Sequence, residues 1–300
     1  MQTDEAGTID TGAIERLPPI NEWRRFVRVL AGRKLVLFGV AVIVVLIVFA
    51  IFSSMIAPYD PYKQNLRRHL DQPSWEHWLG TDALGRDELS RIIFGTRISL
   101  QVGIVAVGTA AVVGLAMGLL AGYFGGWINT IIMRFVDALM AIPPIVLALA
   151  FAALLGGGLT NVMISVGISM MPVYCRLMCG QVLSVKQNDY ILAGRVLGAG
   201  NLRIMLQHIL PNCFPPLIVL VTLNMGQAIL IEAGLSFLGL GIAPPGAAWG
   251  SMINDGYRYL SSNPILSFSP GVCIMLVVFS FNMVGDGLRD ALDPRLRGVV

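Results

Sequence analysis

The sequence predicts an all-α integral membrane protein with six transmembrane helices and a pair of short helices on the cytoplasmic side, between the fourth and fifth spans. Three observations predict it. Hydrophobic residues make up 55% of the chain and charged residues 13%, with a mean hydropathy of +0.72, far from soluble globular composition. Apolar stretches recur at 35–57, 98–122, 129–154, 160–179, 214–238 and 268–288, each near the roughly 20 residues that a hydrocarbon core about 30 Å thick requires. Between the fourth and fifth of them, YILAGRVLGAGNLRIMLQHILPN (190–212) is too polar and glycine-rich to cross a bilayer, and too short to be a domain.

Taken in order, residues 1–34 read as a cytoplasmic N-terminal tail. Asp4, Glu5, Asp10, Glu15 and the pair Pro18-Pro19 give its start a composition that buries no core. Arg24, Arg25, Arg28, Arg33 and Lys34, against the single acid Glu22, then hold it in the cytoplasm. The span 35–57 exceeds the 7–15 apolar residues of a signal peptide and is expected to be an uncleaved anchor. The segment 58–97 becomes an external loop. It carries six basic residues against six acids; because the orientation rule counts Lys and Arg and not net charge, this loop pulls against the orientation that the N-terminus sets.

Residues 98–288 form the main transmembrane domain. In its first span Gly114, Gly118 and Gly122 repeat every four residues and lay a flat strip for close helix packing. The next span has Arg134 and Asp137 near its start, spaced for an ion pair along one helix, and Pro143-Pro144 within it, while Pro172 lies in the span after. These prolines should kink or break their helices. In the cytoplasmic segment 180–213, Lys186, Arg195 and Arg203 outnumber Asp189. Asn188 or Asp189 can cap a first short helix carrying Ile191, Leu192, Val196 and Leu197, with Gly198 and Gly200 as its stop. Asn201 can cap a second, with Leu202, Met205, Leu206 and Ile209, ending at Pro211. Such a pair offers a knob to a partner protein; an interfacial helix lying on lipid is the alternative. In the last two spans Asn224, Gln227 and Asn282 have two competing uses, facing a hydrated path or bonding helix to helix. Residues 289–300 form a cytoplasmic C-terminal tail.

Enzyme chemistry finds no support. His69, His77 and His208 have no metal-pair spacing, and H-E-x-x-H is absent. Cys175 and Cys179 share a helix face and, with Cys213 and Cys273, lie in or beside spans, where thiols fill helix contacts. Gly234-Leu235-Ser236 begins like a nucleophile elbow, but Leu238 stands where its last glycine belongs. No catalytic residue and no metal site is expected. The only lysines, Lys34, Lys63 and Lys186, follow Arg33, Tyr62 and Val185, so there is no phosphate-cradling Gly-Lys pair. Work must come from an ion gradient or from another subunit. Gradient-driven carriers place ionisable groups near the midplane, whereas Arg134, Asp137, Glu232 and Asp286 fall toward span ends. A DNA-reading helix pair is the wrong class for so few basic residues, and no nucleic-acid partner is expected.

The stretch Leu192-Ala193-Gly194, then Gly198, then His208-Ile209-Leu210-Pro211 resembles the E-A-A, three residues, G, nine residues, I-x-L-P pattern of permease subunits in bacterial ABC importers. HWLGTDALGRDELSR (77–91), GTRISLQVG (95–103), AGYFGG (121–126), SFLGLGIAPPGAAWGSMI (236–253) and NMVGDGLRDALDPRLR (282–297) resemble the second permease subunit of dipeptide and oligopeptide importers. Nickel and glutathione importers share these phrases. The chain departs from the motif at Leu192, which replaces its Glu, and at Gly194, which replaces its second Ala. His208 replaces Ile, as in the peptide-importer branch.

The resemblance implies a multi-pass subunit of the bacterial cytoplasmic (inner) membrane with both termini in the cytoplasm. It implies that residues about 189–211 are coupling helices docking into an ATPase cleft, with Leu192, Ala193, Gly194, Gly198, His208, Leu210 and Pro211 as the coupling residues. The implied partners are a second homologous permease, two cytoplasmic ATPases, an external substrate-binding protein and membrane lipid. This chain would bind no cofactor, ATP and Mg being held by the ATPases.

Overall fold

The computed structural model describes residue 30, residues 32–242 and residues 244–292. Most of the two expected tails, 1–29 and 293–300, lies outside the described residues. The helices are α1 (Lys34–Ile56), α2 (Glu88–Phe124), α3 (Gly126–Met140), α4 (Pro144–Leu155), α5 (Leu159–Val185), α6 (Asp189–Val196), α7 (Asn201–Phe237), α8 (Trp249–Tyr257) and α9 (Ile265–Leu292). Five of them, α1, α2, α5, α7 and α9, are long and apolar enough to span a bilayer singly.

The expected single span 129–154 is instead two helices, α3 and α4, bent by 91°. The cause is local. Neither Pro143 nor Pro144 has an N–H to continue α3, and Pro143 adopts φ −53°, ψ 136°, outside the helical region. The amides of Val146 and Leu147 then turn to the Pro143 carbonyl to start α4. Pro172, by contrast, sits inside an unbroken α5.

Packing of α2 on α5 shows that the bent pair is still one crossing. A Cβ at Gly114 would lie 2.7 Å from the Met171 carbonyl oxygen, and one at Gly122 would lie 3.0 Å from that of Cys179. Gly118 meets Cys175 and Met178 between them. Partner numbers rise together, so α2 and α5 run parallel, and α3–α4 must carry the chain back across.

The core forms where small residues let α2, α5 and α7 approach. Ala106, Ala110, Val162, Val166, Tyr174, Ala228, Ile231 and Leu235 are buried there together with Ala148 of α4. Helix α1 stays peripheral, burying only Val36, Gly39, Leu46 and Ser53. It seats on α9 where a Cβ at Gly39 would meet the Ser280 carbonyl at 2.9 Å, and where Arg33 pairs with Asp290 at 2.5 Å.

Helix α2 begins at Glu88, ahead of the expected start at 98. Asp87 caps it, accepting from the Ser90 amide at 2.8 Å, while its other oxygen lies 2.8 Å from His77 Nδ1. Asp82 holds Arg86 at 2.6 Å and faces Arg91 at 3.6 Å. These charges are buried by one another and not by lipid, so an apolar scan does not register that turn as part of the helix. The same pairing occupies much of the loop's positive charge, since Arg68 is tied to Glu76 as well. Helix α8, which no apolar scan marks, closes over this knot, the Trp249 indole donating to the Ile92 carbonyl at 3.1 Å.

Candidate functional site

At the end of the bundle opposite the 58–97 loop, α5 gives way to α6 and the start of α7. Asn188 occupies the N-cap position of α6, but its amide group donates to the Val185 carbonyl at 3.0 Å and not across the helix start. Helix α6 stops in a Schellman turn, with Ala199 N–H donating to the Gly194 carbonyl and Gly198 N–H to that of Arg195, both at 3.0 Å. Gly198 sits at φ +81°, a conformation that costs an L-residue roughly 1 kcal/mol or more.

The second short helix does not end at Pro211. Asn201 opens α7, whose first turns pass through a π-helical segment, Ile204–Ile209, and run on to Phe237. The Leu210 amide reaches back five residues to Met205. A wider turn just before Pro211 relieves the clash that its ring would make with a tight preceding turn, and its missing N–H interrupts nothing the π-turn needs. Asn201 is not a cap either, since Gly200 takes that position.

One face of this pair is tied to the spans. Ile191, Ile204, Met205 and Ile209 are buried against Met178, Val182, Val185, Cys213 and Leu217, each contributing about 2 kcal/mol by burial. Tyr123, near the end of α2, organises the polar contacts. Its hydroxyl donates to Asn201 Oδ1 at 2.7 Å, and its carbonyl accepts from Lys186 Nζ at 2.6 Å. Lys186 and Arg195 lie 5.6 and 5.4 Å from its ring centre, within cation–π range.

The opposite face is apolar and open. Leu192 is 63% exposed, Val196 81% and Leu197 86%, with Tyr190, Leu202 and Leu206 beside them. Asp189, Arg195, Asn201 and Arg203 border the patch. An exposed apolar patch with a polar rim is the composition of a protein-docking surface.

The seven motif residues divide by position. Leu192 and Ala193 face outward, Gly194 and Gly198 make the turn, and His208 and Leu210 are half-buried toward the spans, with Pro211 exposed beside them. Composition and spacing did not single out Tyr123, although AGYFGG contains it, and they gave Asn201 a capping role that it does not have; nothing local marks a tyrosine that acts across to residue 201.

Other candidates lie elsewhere. Gly226 packs on Val278 and Gly285 on Leu223, so α7 and α9 are antiparallel and put Asn224 and Asn282 at one level, with Gln227 about one turn away. Glu232 accepts from the Ser236 hydroxyl at 2.6 Å, both buried, so this serine is engaged in packing. Cys175, Cys179 and Cys213 are buried and Cys273 half-buried. Asp137 does not pair with Arg134 on its own helix; it pairs with Arg176 of α5, because tertiary packing brings α5 alongside.

Known proteins resemble this chain along nearly its whole length. Residues 114–298 match the family described as binding-protein-dependent transport system inner membrane component, and residues 21–73 match the N-terminal TM domain of oligopeptide transport permease C. The chain is 42% identical to the dipeptide transport system permease protein DppC of Alkalihalophilus pseudofirmus, over 99% of this chain and 100% of that one. It is 42% identical to the glutathione transport system permease protein GsiD of Pectobacterium atrosepticum, over 94% and 93%. A chain from inward-facing conformations of the MetNI methionine ABC transporter shares the fold, with a TM-score of 0.53, 19% identity, and coverage of 68% of this chain and 96% of that one.

Proposed function

Because the chain belongs to the binding-protein-dependent transport system inner membrane component family, we propose that it is a permease subunit of an ATP-driven importer of short peptides. It forms the translocation path with a second, homologous permease, and takes its motion from two cytoplasmic ATPases that bind ATP and Mg. An external binding protein delivers substrate. Its relatives named for dipeptide and for glutathione transport share peptide chemistry, which is why a peptide is the preferred cargo.

The observation that carries the reading is the two-sided α6–α7 junction: an open apolar face on one side, and anchors into α2 and α5 on the other. Nucleotide binding can switch a permease only if the ATPases interact differently with its two states. A knob held by Tyr123, Ile191 and Ile209 transmits such a difference to α2 and α5 and does not absorb it in a loose loop. Docking at Leu192 is apolar, with no carboxylate to pair with the ATPase. On this reading the α6 end, and with it both termini, is cytoplasmic.

Deleting residues 190–211, or replacing Gly198 with Val, should abolish co-purification of the ATPases while leaving the subunit in the membrane. Retained co-purification and retained uptake in those variants overturn the proposal. ATP-dependent uptake of labelled dipeptides, longer peptides, glutathione and nickel by the assembled complex ranks the substrates.

A further inference from the structure

Helix α5 is the most buried of the five single spanning helices, yet toward the α6 end it surfaces along one stripe, Val173, Arg176 and Gly180. The Arg176 side chain is 51% exposed, and its partner Asp137, on α3, is 48% exposed. Counting back from Val185 for one and forward from Gly126 for the other, both lie roughly 15 Å from the α6 end at 1.5 Å per residue, near the middle of a core about 30 Å thick. Asp137 therefore does not fall toward a span end as expected from the sequence, because its helix begins at Gly126. Intramembrane charges are expensive on lipid and face a bundle interior or a water-filled cavity. Among the described residues, nothing covers the pair's outer side.

The other flank of the same stripe is also open. Leu177 and Gln181 line a cavity of about 570 Å³ together with Pro215, Val219 and Arg289. The α5 stripe is therefore the floor of a groove, with α3 as one wall and α7 with α9 as the other. Within this groove, whose other flank carries Gln181 and Arg289, Arg176 and Asp137 form a fixed positive–negative rung.

Building on the importer reading, we propose that this groove is the inner half of the substrate path and that Arg176 receives the C-terminal carboxylate of the passing peptide. A guanidinium fork matches a carboxylate in bidentate geometry. Asp137 positions the fork and, by competing for it, keeps the peptide from being held too long, while offering a counter-charge to an amino terminus.

The test uses the full complex in inside-out vesicles. Val173→Cys and Gly180→Cys should react with a membrane-impermeant sulfonated thiol reagent above the wild-type background, and millimolar dipeptide should slow that reaction. Ile51→Cys, on the lipid-facing side of α1, should not react. Reaction of the stripe only with a lipophilic maleimide, or with no reagent, overturns the proposal.

For transport, Arg176→Gln should lower ATP-driven peptide uptake at least tenfold while the ATPases still co-purify and hydrolyse ATP, and Arg176→Lys should keep part of it. The exchanged pair Arg176→Asp with Asp137→Arg restores an ion pair but moves the cation, so uptake should stay low. Full recovery by the exchanged pair, or unchanged uptake by Arg176→Gln in a complex that transports, overturns this proposal alone. No ATP-driven uptake by the unmutated complex overturns the importer reading and this proposal with it.

Discussion

Tyr123 ties the α6–α7 junction to α2 in three ways: its hydroxyl donates to Asn201, its main-chain carbonyl accepts from Lys186, and its ring faces Lys186 and Arg195. Tyr123→Phe removes only the bond to Asn201, worth about 1 kcal/mol net, and ATPase affinity should fall less than tenfold. Tyr123→Ala also removes the ring from a packed cluster, at about 3–5 kcal/mol, and should release the ATPases in a co-purification assay. On the open face, Val196→Asp combined with Leu197→Asp puts charge into an apolar contact without touching the anchors. Membrane insertion should be unchanged, and pull-down of the ATPases should drop at least tenfold. The sequence placed Ile191, Leu192, Val196 and Leu197 together on the first short helix, and packing divides them, with Ile191 turned inward and the other three outward. Tyr123 and Arg176 were not legible in the sequence, since each works through a partner dozens of residues away and a single charge does not stop an apolar scan.

At the scale of elements, the glycine strip on α2 and the proline pair between α3 and α4 do opposite things. Gly114, Gly118 and Gly122 bring α2 against the backbone of α5, so Gly118→Leu must push the two helices apart. Overpacking of this kind costs about 1–3 kcal/mol, and the variant should lose stability in detergent, read as a lower unfolding temperature of the purified complex. Pro143-Pro144 instead turns one span into two helices at 91°. The positions of all six crossings could be read from hydropathy, but the bend could not, because a proline pair is compatible with a gentle kink or a full corner until neighbours decide. The π-turn before Pro211 carries the same lesson: proline forbids a tight turn, and the chain answers with a wider one in place of a stop.

On the scale of the whole molecule, the subunit has surfaces but no engine. A chain without a Gly-Lys phosphate loop, reconstituted alone in ATP-free proteoliposomes under a proton or sodium gradient, should take up no labelled dipeptide above empty liposomes. Uptake there would instead identify a secondary carrier. The sequence by itself determined the membrane class, the crossings and the place of the short helix pair, because bilayer thickness and glycine or proline chemistry act locally and leave marks in composition and spacing. Only the tertiary structure decided that Asp137 pairs with Arg176 and not with Arg134, that Tyr123 anchors Asn201, that Asp82, Arg86 and Arg91 bury one another, and that α7 runs unbroken from Asn201. Each of these depends on which helices come side by side, and that is settled by packing between distant segments, where the energy of a charge or a ring belongs to the neighbour it meets.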